Sequence, residues 1–545
     1  MQSYTKYIFG TLTGMLMFLS CSKSVLNEQS PSVLTADLLF KTKAGFQNAL
    51  NGLYSEVRRY RSGETYGSED DIMNMQAVIG VDNGYGNWRD AIIDIFNYWG
   101  TYNLPNKPHT SEVWAWLYET INAANTIIGR SENTGIDWTP EDKATIVAGA
   151  RLIRAWCYRH LTYLWGPVPL TLEESSGTNI RTDLTRTPVA DIQTAMKQDL
   201  LYAEQNLPET SSDDAQLLKG TASHFLAELY LATKQYDSAK IEALKVTTDA
   251  NYKLVTARYG VQKTSPGTPF TDMFLDGNSK RSEGNTEALW VIQSDINLPG
   301  GDGSTIMRRY WVNRYYSLSV KGTDGKAATP VLVSAANGGR GIGRLSPTKW
   351  AMTIYDANDD RGGDFAWRYY YLINNPASIP KGSKLGDTIY LDKSSTEKIT
   401  NANWPSTRKW DYASPVDPTV DKSYNDQVFV RAGETYLLLA EADFRLNDLQ
   451  GAADAINALR NRAHATPIIP SQVTLDFILD ERSRELFSEE DRRYVLLRTG
   501  TWLTRTKLYN KVGGLTVAAR DSLLPIPQDV IDANLTAVLP QNPGY

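Results

Sequence analysis

Residues 439–463, LAEADFRLNDLQGAADAINALRNRA, indicate a helical fold because they carry the pattern of two helices joined by a short polar turn. The turn falls at Asn447-Asp448, between two segments that carry apolar residues at helical spacing. One seam of the second segment consists of small and apolar residues: Ala452, Ile456, Leu459 and Ala463. Small residues at a seam let two helices approach closely. The stretch therefore predicts an antiparallel helix hairpin.

An earlier segment of the chain matches this hairpin. The tripeptide Leu-Ala-Glu occurs at residues 226–228 and again at 439–441, and Ala239 corresponds to Ala452 at the same internal spacing. The polar turn of the earlier copy lies at residues 233–235. Such helix pairs resemble tetratricopeptide units, whose exposed faces are buried by stacking on their neighbours. We expect a mainly α, helical-repeat scaffold; the alternative is a coincidental similarity between two helix pairs.

The residues between the two hairpins have a different character. From residue 259 to residue 429, Gly, Pro, Asn and Asp are scattered throughout and no helical pattern is sustained. Six of the 14 tryptophans fall there: Trp290, Trp311, Trp350, Trp367, Trp404 and Trp410. A structureless loop of that length is unusual in a compact domain. We expect one domain of residues 21–545, in which a helical scaffold at about 27–258 and 430–545 carries a loop-rich insertion at about 259–429 with short strands.

The N-terminus has the pattern of an export signal. Lys6 precedes an apolar run at residues 7–19, which is shorter than the roughly 20 residues that a membrane-spanning helix needs. Ser20-Cys21 follows directly, where a lipoprotein signal places its acylated cysteine, although the two residues before Ser20 depart from the usual lipobox. We predict a signal peptide at residues 1–20 and a chain tethered to the membrane only through lipid on Cys21. The alternative is ordinary secretion with cleavage near Ser20.

The composition of the chain argues against a nucleic-acid-binding protein and against stabilisation by disulfides. The chain has 56 Lys and Arg against 62 Asp and Glu, a net charge of −6, which provides no basic surface for nucleic acid. If Cys21 is acylated, Cys157 has no partner for an intrachain disulfide. With 41% hydrophobic residues, the chain can bury a large core. We expect packing to stabilise the fold.

The last residues, 523–545, follow the pattern of neither a helix nor a strand. Pro525 and Pro527 fix φ and interrupt a hydrogen-bonded ladder, so an extended segment is expected before a short turn at about residues 528–533. Such a tail has to be docked by neighbouring elements.

Another segment, residues 153–164, carries the apolar stripe of one helix face, and Gly166-Pro167 ends the helix. His160 lies on this stripe. We interpret it as a buried, hydrogen-bonded histidine rather than a ligand.

Five segments, taken in order, resemble the SusD/RagB family of surface nutrient-binding lipoproteins. They are Phe40 with residues 49–54; ARLIRAWCY at 150–158 with WGPVPL at 165–170; residues 431–463; DERSREL at 480–486 with Arg492 and Leu497-Arg498; and the tail at 523–545. The resemblance covers both ends of the chain and little of the middle.

The resemblance implies a tetratricopeptide-like helical scaffold, a lipid anchor at the outer membrane, no catalytic activity and no cofactor. It also implies a partner, because members of the family sit over a SusC-type TonB-dependent porin and deliver oligosaccharide, or less often peptide, into it. We therefore expect a noncatalytic protein at the outer membrane, facing the cell surface.

The carboxylate-rich segment at residues 480–491 is the strongest feature in favour of an enzyme. A glycosidase needs two carboxyl groups roughly 5–10 Å apart across a cleft. Arginines interleave with the glutamates of this segment at helical spacing, which favours ion pairs that support a helix. We interpret the segment as structural.

The motif Asp356-x-Asn358-x-Asp360 begins like a calcium loop. Arg361 then stands where the glycine of the turn belongs, and Trp367 stands where the bidentate glutamate belongs. We predict no metal site here and interpret Asp360-Arg361 as a structural pair.

Three aromatic clusters are candidate sugar-binding sites. Sugars stack on flat ring faces and hydrogen-bond to nearby amide, carboxylate or guanidinium groups. The clusters are Tyr98-Trp99 with Tyr102 and Asn103, where the family resemblance implies binding aromatics; Tyr310-Trp311 with Asn313, Arg314, Tyr315 and Tyr316; and WRYYY at residues 367–371. The predicted ligand-binding residues are Tyr98, Trp99, Asn103, Trp311, Arg314, Tyr315 and Trp367. For each aromatic, the alternative is a ring packed inside the protein.

The function predicted from the sequence is capture of oligosaccharide or polysaccharide for a SusC-type transporter. One rival is a peptide-binding, RagB-like member, whose cleft would be broader. The others are a surface glycosidase and a purely structural helical adaptor. The sequence does not determine the glycan, its linkage or its length.

Overall fold

The computed structural model describes residues 39–61, 74–87, 93–177, 179–297, 307–393, 397–420 and 423–545. The predicted signal peptide and Cys21 lie outside the described residues. The long helices are α1 (Lys43–Arg58), α4 (Pro108–Arg130), α5 (Pro140–Trp165), α6 (Val189–Asn206), α7 (Lys219–Ala232), α8 (Tyr236–Thr247), α12 (Ala432–Arg445), α13 (Leu449–Arg462) and α14 (Leu475–Leu486). The shorter helices are α2 (Met75–Val78), α3 (Trp99–Tyr102), α9 (Pro269–Asp272), α10 (Met307–Trp311), α11 (Lys349–Thr353), α15 (Arg492–Arg498), α16 (Trp502–Tyr509) and α17 (Gln528–Ala533).

The long helices stack in chain order. From α4 to α8 each helix packs against the next, and α8 then packs against α12, which pairs with α13. The scaffold is therefore continuous in space although 184 residues separate α8 from α12 in sequence. This stacking confirms the predicted mainly α, tetratricopeptide-like fold.

The two helix hairpins match in detail. Lys234 and Asn447 occupy the same position of the α7–α8 and α12–α13 turns, and both are left-handed, with φ of 59° and 63°. In the first turn the Gln235 N–H donates to the Tyr230 carbonyl, and in the second the Asp448 N–H donates to the Asp443 carbonyl. The repeat extends to buried charge, because Glu228 pairs with Arg159 and Glu441 pairs with Arg498.

Short antiparallel strand pairs are spread through the region between the hairpins, and one of them includes a strand, Gly84–Gly86, from before the first hairpin. The strands are β1 (Gly84–Gly86), β2 (Ala288–Ile292), β3 (Val320–Lys321), β4 (Ala327–Ala328), β5 (Leu345–Pro347), β6 (Trp367–Arg368), β7 (Tyr370–Leu372), β8 (Thr388–Tyr390), β9 (Ser406–Thr407) and β10 (Gln427–Arg431). They pair as β1–β5, β2–β10, β3–β4, β6–β9 and β7–β8. The β2–β10 ladder joins the two ends of the region beside α7 and α12. The division of the chain at residues 258 and 430 stays a prediction.

A buried arginine–carboxylate network fixes this region to the scaffold. Glu485 of α14 accepts from Arg431 at 2.6 Å, from Arg361 at 3.0 Å and from Arg462. These arginines come from β10, from the loop before β6 and from the end of α13. Four separate segments therefore meet at one carboxylate.

The tail is docked as its sequence predicts. It runs extended to Pro527 and then forms α17, and the Leu524 N–H donates to the Leu164 carbonyl at 2.7 Å. Trp165 Nε1 donates to the Pro525 carbonyl at 2.9 Å. Gly166 ends α5 with a φ of 73°, and a Cβ there would lie 3.0 Å from Leu523 Cδ1, so glycine suits both the turn and the contact.

Two further predictions concern α5 and the membrane. His160 is buried with Nδ1 2.8 Å from the Tyr494 hydroxyl, which confirms its interpretation as a core histidine. Within the described ranges, no helix combines the length and the apolar character required to cross a bilayer.

Candidate functional site

The β7–β8 hairpin presents an aromatic face to solvent. Tyr370 lies opposite Tyr390 in the ladder, and Leu372 lies opposite Thr388. Alternate residues of a strand point to opposite sides, so these four share the outer side, which we call the tyrosine face. Tyr370 is 38% exposed and Tyr390 is 76% exposed, with ring centroids 6.1 Å apart. Large exposed aromatic surface in a soluble fold is a candidate binding surface.

The inner side of the same hairpin is anchored by two of the predicted clusters. The Tyr371 ring stacks on Tyr315 with centroids 4.4 Å apart, and its hydroxyl donates to Asn313 Oδ1 at 2.7 Å. Burial raises the pKa of both tyrosines, so each hydroxyl remains a donor at neutral pH. The structure thus brings the second and third clusters together beneath the tyrosine face.

Trp311 and Trp367 support this arrangement from below. Both are buried, and both pack against Phe487 just after α14, with ring centroids 5.1 Å and 5.0 Å from it. Trp367 begins β6, which leads directly into β7. Fixing its ring on Phe487 therefore fixes the hairpin on the helical scaffold.

Trp99, in the first cluster, is enclosed by the fold. It is fully buried, with its ring edge-to-face against Trp502 at 5.7 Å and under the Arg493 guanidinium at 5.0 Å. Gly80, with a φ of 66°, passes so close that a Cβ there would lie 2.4 Å from Trp99 Cζ2. Only glycine fits both constraints.

Asn103 is also buried, and it holds the C-terminus. Its Nδ2 donates to Asp521 Oδ1 at 3.2 Å and to the Tyr545 hydroxyl. Tyr98 is half-buried and lies 6.3 Å from the Tyr102 ring, so this pair is the accessible part of the first cluster.

The predicted ligand-binding residues therefore have different environments. Trp99, Asn103, Trp311, Tyr315 and Trp367 are buried and pack or hydrogen-bond within the protein, whereas Tyr98 and Arg314 are half-buried. Ligand contact by these seven residues stays a prediction. What the structure shows for the five buried ones is a supporting role.

Charged side chains lie against two further tyrosine rings of this region, Tyr316 and Tyr369. Arg314 and Arg340 lie over the half-buried Tyr316 ring, 5.6 Å and 5.8 Å from its centroid. On the other strand, Lys393 follows Tyr390 closely and its Nζ is 4.4 Å from the Tyr369 ring centroid. Flat rings with cationic and amide groups nearby are suited to polyhydroxylated ligands.

The carboxylate-rich segment is structural, but its partners differ from those predicted. Among the ion pairs of the described residues, only Arg484–Glu481, at 2.8 Å, joins two residues of α14 that lie one helical turn apart. Phe487 ends the helix. Glu485 and Glu489 pair with arginines of distant segments, whereas Glu490 pairs with Arg482 and Arg492 of the same stretch. Tertiary contacts rather than spacing along one helix determine these pairs.

The electrostatics of Glu485, in the middle of this segment, do not suit an acid catalyst. Burial alone would raise the pKa of Glu485, but Arg462, Arg431 and Arg361 outweigh it and hold that pKa well below its usual range. A general acid needs the opposite shift. Glu485 is also fully buried.

The predicted Asp360–Arg361 pair is wrong. Arg361 binds Asp359 at 2.8 Å together with Glu481 and Glu485, whereas Asp360 accepts from His464 Nδ1 at 2.8 Å. Adjacent residues of the 3₁₀ turn Asp360–Gly362 point in different directions, so the neighbour in sequence is not the partner in space.

Two family models match the chain. One described as "SusD family" matches residues 286–545, and one described as "Starch-binding associating with outer membrane" matches residues 26–231. The chain belongs to the SusD family. Proteins of this family are binding proteins rather than enzymes.

Relatives agree with this assignment, one of them over nearly the full length. SusD-like protein P2 of Formosa agariphila is 26% identical over 99% of this chain and 100% of its own. The starch-binding protein SusD of Bacteroides thetaiotaomicron is 37% identical over 25% of each chain. The solved structure of a laminarin binding SusD-like protein gives a TM-score of 0.68 at 19% identity, covering 93% of this chain and 100% of that one. At that identity the structure establishes the shared fold.

In this SusD-family chain, sequence reasoning missed Tyr390 and chose Trp367 over Tyr370. A pairing signal was present, because YYL at 370–372 and TIY at 388–390 are short aromatic and β-branched runs separated by loop residues that include Gly382 and Gly386. Pairing these runs as a hairpin would have placed Tyr370 opposite Tyr390.

Proposed function

We propose that this SusD-family chain is a noncatalytic glycan-binding lipoprotein, which captures oligosaccharide on the tyrosine face and passes it to a SusC-type TonB-dependent transporter. The observation that carries the proposal is the exposed Tyr370–Tyr390 pair on a hairpin that is anchored from below by Tyr371 and Trp367.

The physical argument rests on rigidity and exposure. A pyranose ring gains free energy by stacking its C–H surface on an aromatic face, and the gain is larger when the ring is already held in place. The strand pairing fixes the spacing of the two tyrosines before any ligand arrives. The names of two relatives, one starch-binding and one laminarin binding, support a glycan as the ligand.

The site we propose also includes residues at its edges. Arg314 beside Tyr316, and Lys393 beside Tyr369, would hydrogen-bond to sugar hydroxyls. Tyr98, in the accessible part of the first cluster, would provide a second stacking surface.

Localisation forms a further part of the proposal. The N-terminal signal pattern supports acylation of Cys21 and tethering at the outer membrane, facing the cell surface. The family description that mentions the outer membrane supports the same location. Delivery to a SusC-type porin is proposed from the family resemblance.

The test is titration calorimetry on protein that begins after Cys21, with starch-derived and laminarin-derived oligosaccharides. A Tyr370→Ala/Tyr390→Ala double variant should bind the recognised oligosaccharide about tenfold more weakly, because it loses two stacking surfaces. Phe365→Ala removes a ring of similar exposure, 40%, outside the tyrosine face and serves as the matched control.

Unchanged affinity in the double variant would contradict the proposed site. Binding of peptides but of no oligosaccharide would instead favour a RagB-like, peptide-binding function. Release of reducing sugar would favour a glycosidase.

A further inference from the structure

A cavity of about 90 Å³ lies among α5, α6 and α7, with lining residues distinct from those of the tyrosine face. Its inner wall is buried and apolar and includes Met196, Leu200, Phe225 and Leu229. Its mouth is formed by half-buried residues, among them Val189, Gln193 and Ala232. The cavity is therefore an apolar slot that opens to solvent on one side.

A carboxylate with an unused oxygen lies at the inner end of the slot. Glu228 is 5% exposed, and its Oε2 accepts from Arg159 Nε at 2.7 Å. Its Oε1 has no hydrogen-bond partner among the described residues. A buried oxygen without a partner costs free energy, so the slot is incomplete without a donor there.

A second unused group belongs to another residue of the lining. Tyr163 also lines the cavity, and its hydroxyl likewise finds no partner in the described part of the chain. Its ring is fixed by stacking on Tyr494, with centroids 4.7 Å apart and planes within 9°. The slot thus presents one acceptor and one donor at defined positions.

Glu228 already has a cationic partner in Arg159. Burial alone would raise the pKa of Glu228, but Arg159 outweighs it and holds the pKa below its usual value, so the carboxylate is ionised. Arg159 also pairs with Asp491 at its other nitrogen. A cationic ligand would have to approach this guanidinium, whereas a neutral hydroxyl can donate to Glu228 and accept from Tyr163 without charge repulsion.

We propose that this slot is a second binding site, for a small amphipathic alcohol or phenol whose hydroxyl meets Glu228 and Tyr163. Its apolar body lies along Met196, Leu200 and Leu229. A sugar does not fit, because hydroxyl groups around its ring would be left without partners on the apolar wall. The enclosed volume is below the roughly 150 Å³ of a cavity that encloses benzene, so a six-membered ring projects partly through the mouth.

The test compares phenol with benzene, which has the same ring and no hydroxyl. Both are titrated into the protein that begins after Cys21, by calorimetry and by ligand-observed NMR. Glu228→Gln should weaken phenol binding about tenfold, because a charge-assisted hydrogen bond becomes a neutral one, and should leave benzene binding unchanged.

Two further variants complete the design. Ala232→Leu narrows the mouth while keeping the Glu228 carboxylate and its pair with Arg159. It should weaken both ligands at least tenfold, which covers the case in which Glu228→Gln fails to fold. Glu174→Gln is the matched control, because Glu174 also pairs with an arginine, Arg130, at 2.8 Å and lies outside the cavity lining. It should change phenol affinity less than about twofold.

The proposal is overturned if phenol binds no more tightly than benzene. That result would mean that water alone supplies the missing hydrogen bonds of Glu228 and Tyr163. It is also overturned if Ala232→Leu leaves phenol affinity unchanged. Loss of oligosaccharide binding by the tyrosine-face variant leaves this result unaffected, so the two sites are tested separately.

Discussion

The carboxylate-rich segment and the tyrosine face differ in how the fold uses reactive-looking side chains. In the segment around α14, Glu481 and Glu485 are fully buried and each pairs with more than one arginine. On the β7–β8 hairpin, Tyr370 and Tyr390 keep exposed rings. The first region uses its chemistry to hold segments together, and the second leaves its chemistry available.

Residue type is therefore a weaker guide to the function of a side chain than its burial and its hydrogen-bonding or ionic partners. A buried carboxylate surrounded by guanidinium groups has its charge neutralised and its lone pairs occupied. An exposed ring on a rigid hairpin has a free surface and little mobility to lose on binding. Variants of the two regions should therefore change different quantities.

The largest effect is expected from Glu485→Ala. Removing this carboxylate leaves Arg361, Arg431 and Arg462 without their shared partner, and breaking a buried ion pair typically costs about 3–5 kcal/mol. Urea unfolding measures the change. Glu132→Ala is the control, because its side chain is 75% exposed in its pair with Lys143 and should cost no more than about 1 kcal/mol. Equal losses in the two variants would contradict the structural role of Glu485.

Asn103→Ala should have the next largest effect. It removes the hydrogen bonds to Asp521 and Tyr545 that hold the tail, and the free energy of unfolding should fall by about 1–3 kcal/mol. Oligosaccharide affinity of the folded protein, measured by calorimetry, should not change. Gln528→Ala, on the exposed side of the tail helix, is the control. Weaker oligosaccharide binding with unchanged stability would instead indicate that Asn103 contacts the ligand.

The pH dependence of stability gives a third test of the buried region. Burial lowers the pKa of His224 to about 3, whereas the unfolded chain should have a value near 6.5. His224 thus contributes stability that is fully present above about pH 6.5 and is lost as the pH falls towards 3. Between pH 7 and pH 5 the loss should be about 2 kcal/mol.

His224→Gln should reduce the difference between unfolding free energies at pH 7 and pH 5 by that amount. Titrating groups that do not contact His224 cancel in the comparison with the unsubstituted chain; Glu434, 3.8 Å from His224 Nε2, is the neighbouring group that titrates in the same range. Thr233→Val, at the end of the same helix, changes no titratable group and is the control. An identical pH difference in His224→Gln would contradict neutral burial of this histidine.

Much of the fold could be predicted because its signals are local. The repeated Leu-Ala-Glu tripeptides, the small-residue seam at Ala452 and the stop at Gly166 depend on spacing along a helix. The tail could be predicted to dock because Pro525 and Pro527 exclude regular hydrogen bonding. These features need no knowledge of distant partners.

The candidate site was harder to predict because its determinants are distant in sequence. Trp367 is buried by Phe487, about 120 residues later, and Trp99 by Trp502, about 400 residues later. An isolated sequence window cannot distinguish such rings from exposed ones, since the same residue types serve both purposes. The hairpin register that exposes Tyr390 is also set by contacts on its inner side.

The two sides of the hairpin provide the smallest and sharpest comparison. Tyr371→Phe removes the buried hydroxyl that donates to Asn313 and should lower the free energy of unfolding by about 1 kcal/mol. Tyr390→Ala removes a ring that is 76% exposed and should change stability by less than about 0.5 kcal/mol while weakening oligosaccharide binding. Thermal unfolding and calorimetry on the same preparations separate these outcomes. A stability loss in Tyr390→Ala as large as that in Tyr371→Phe would show that the outer ring also supports the hairpin, and the distinction between supporting and available aromatics would fail at this site.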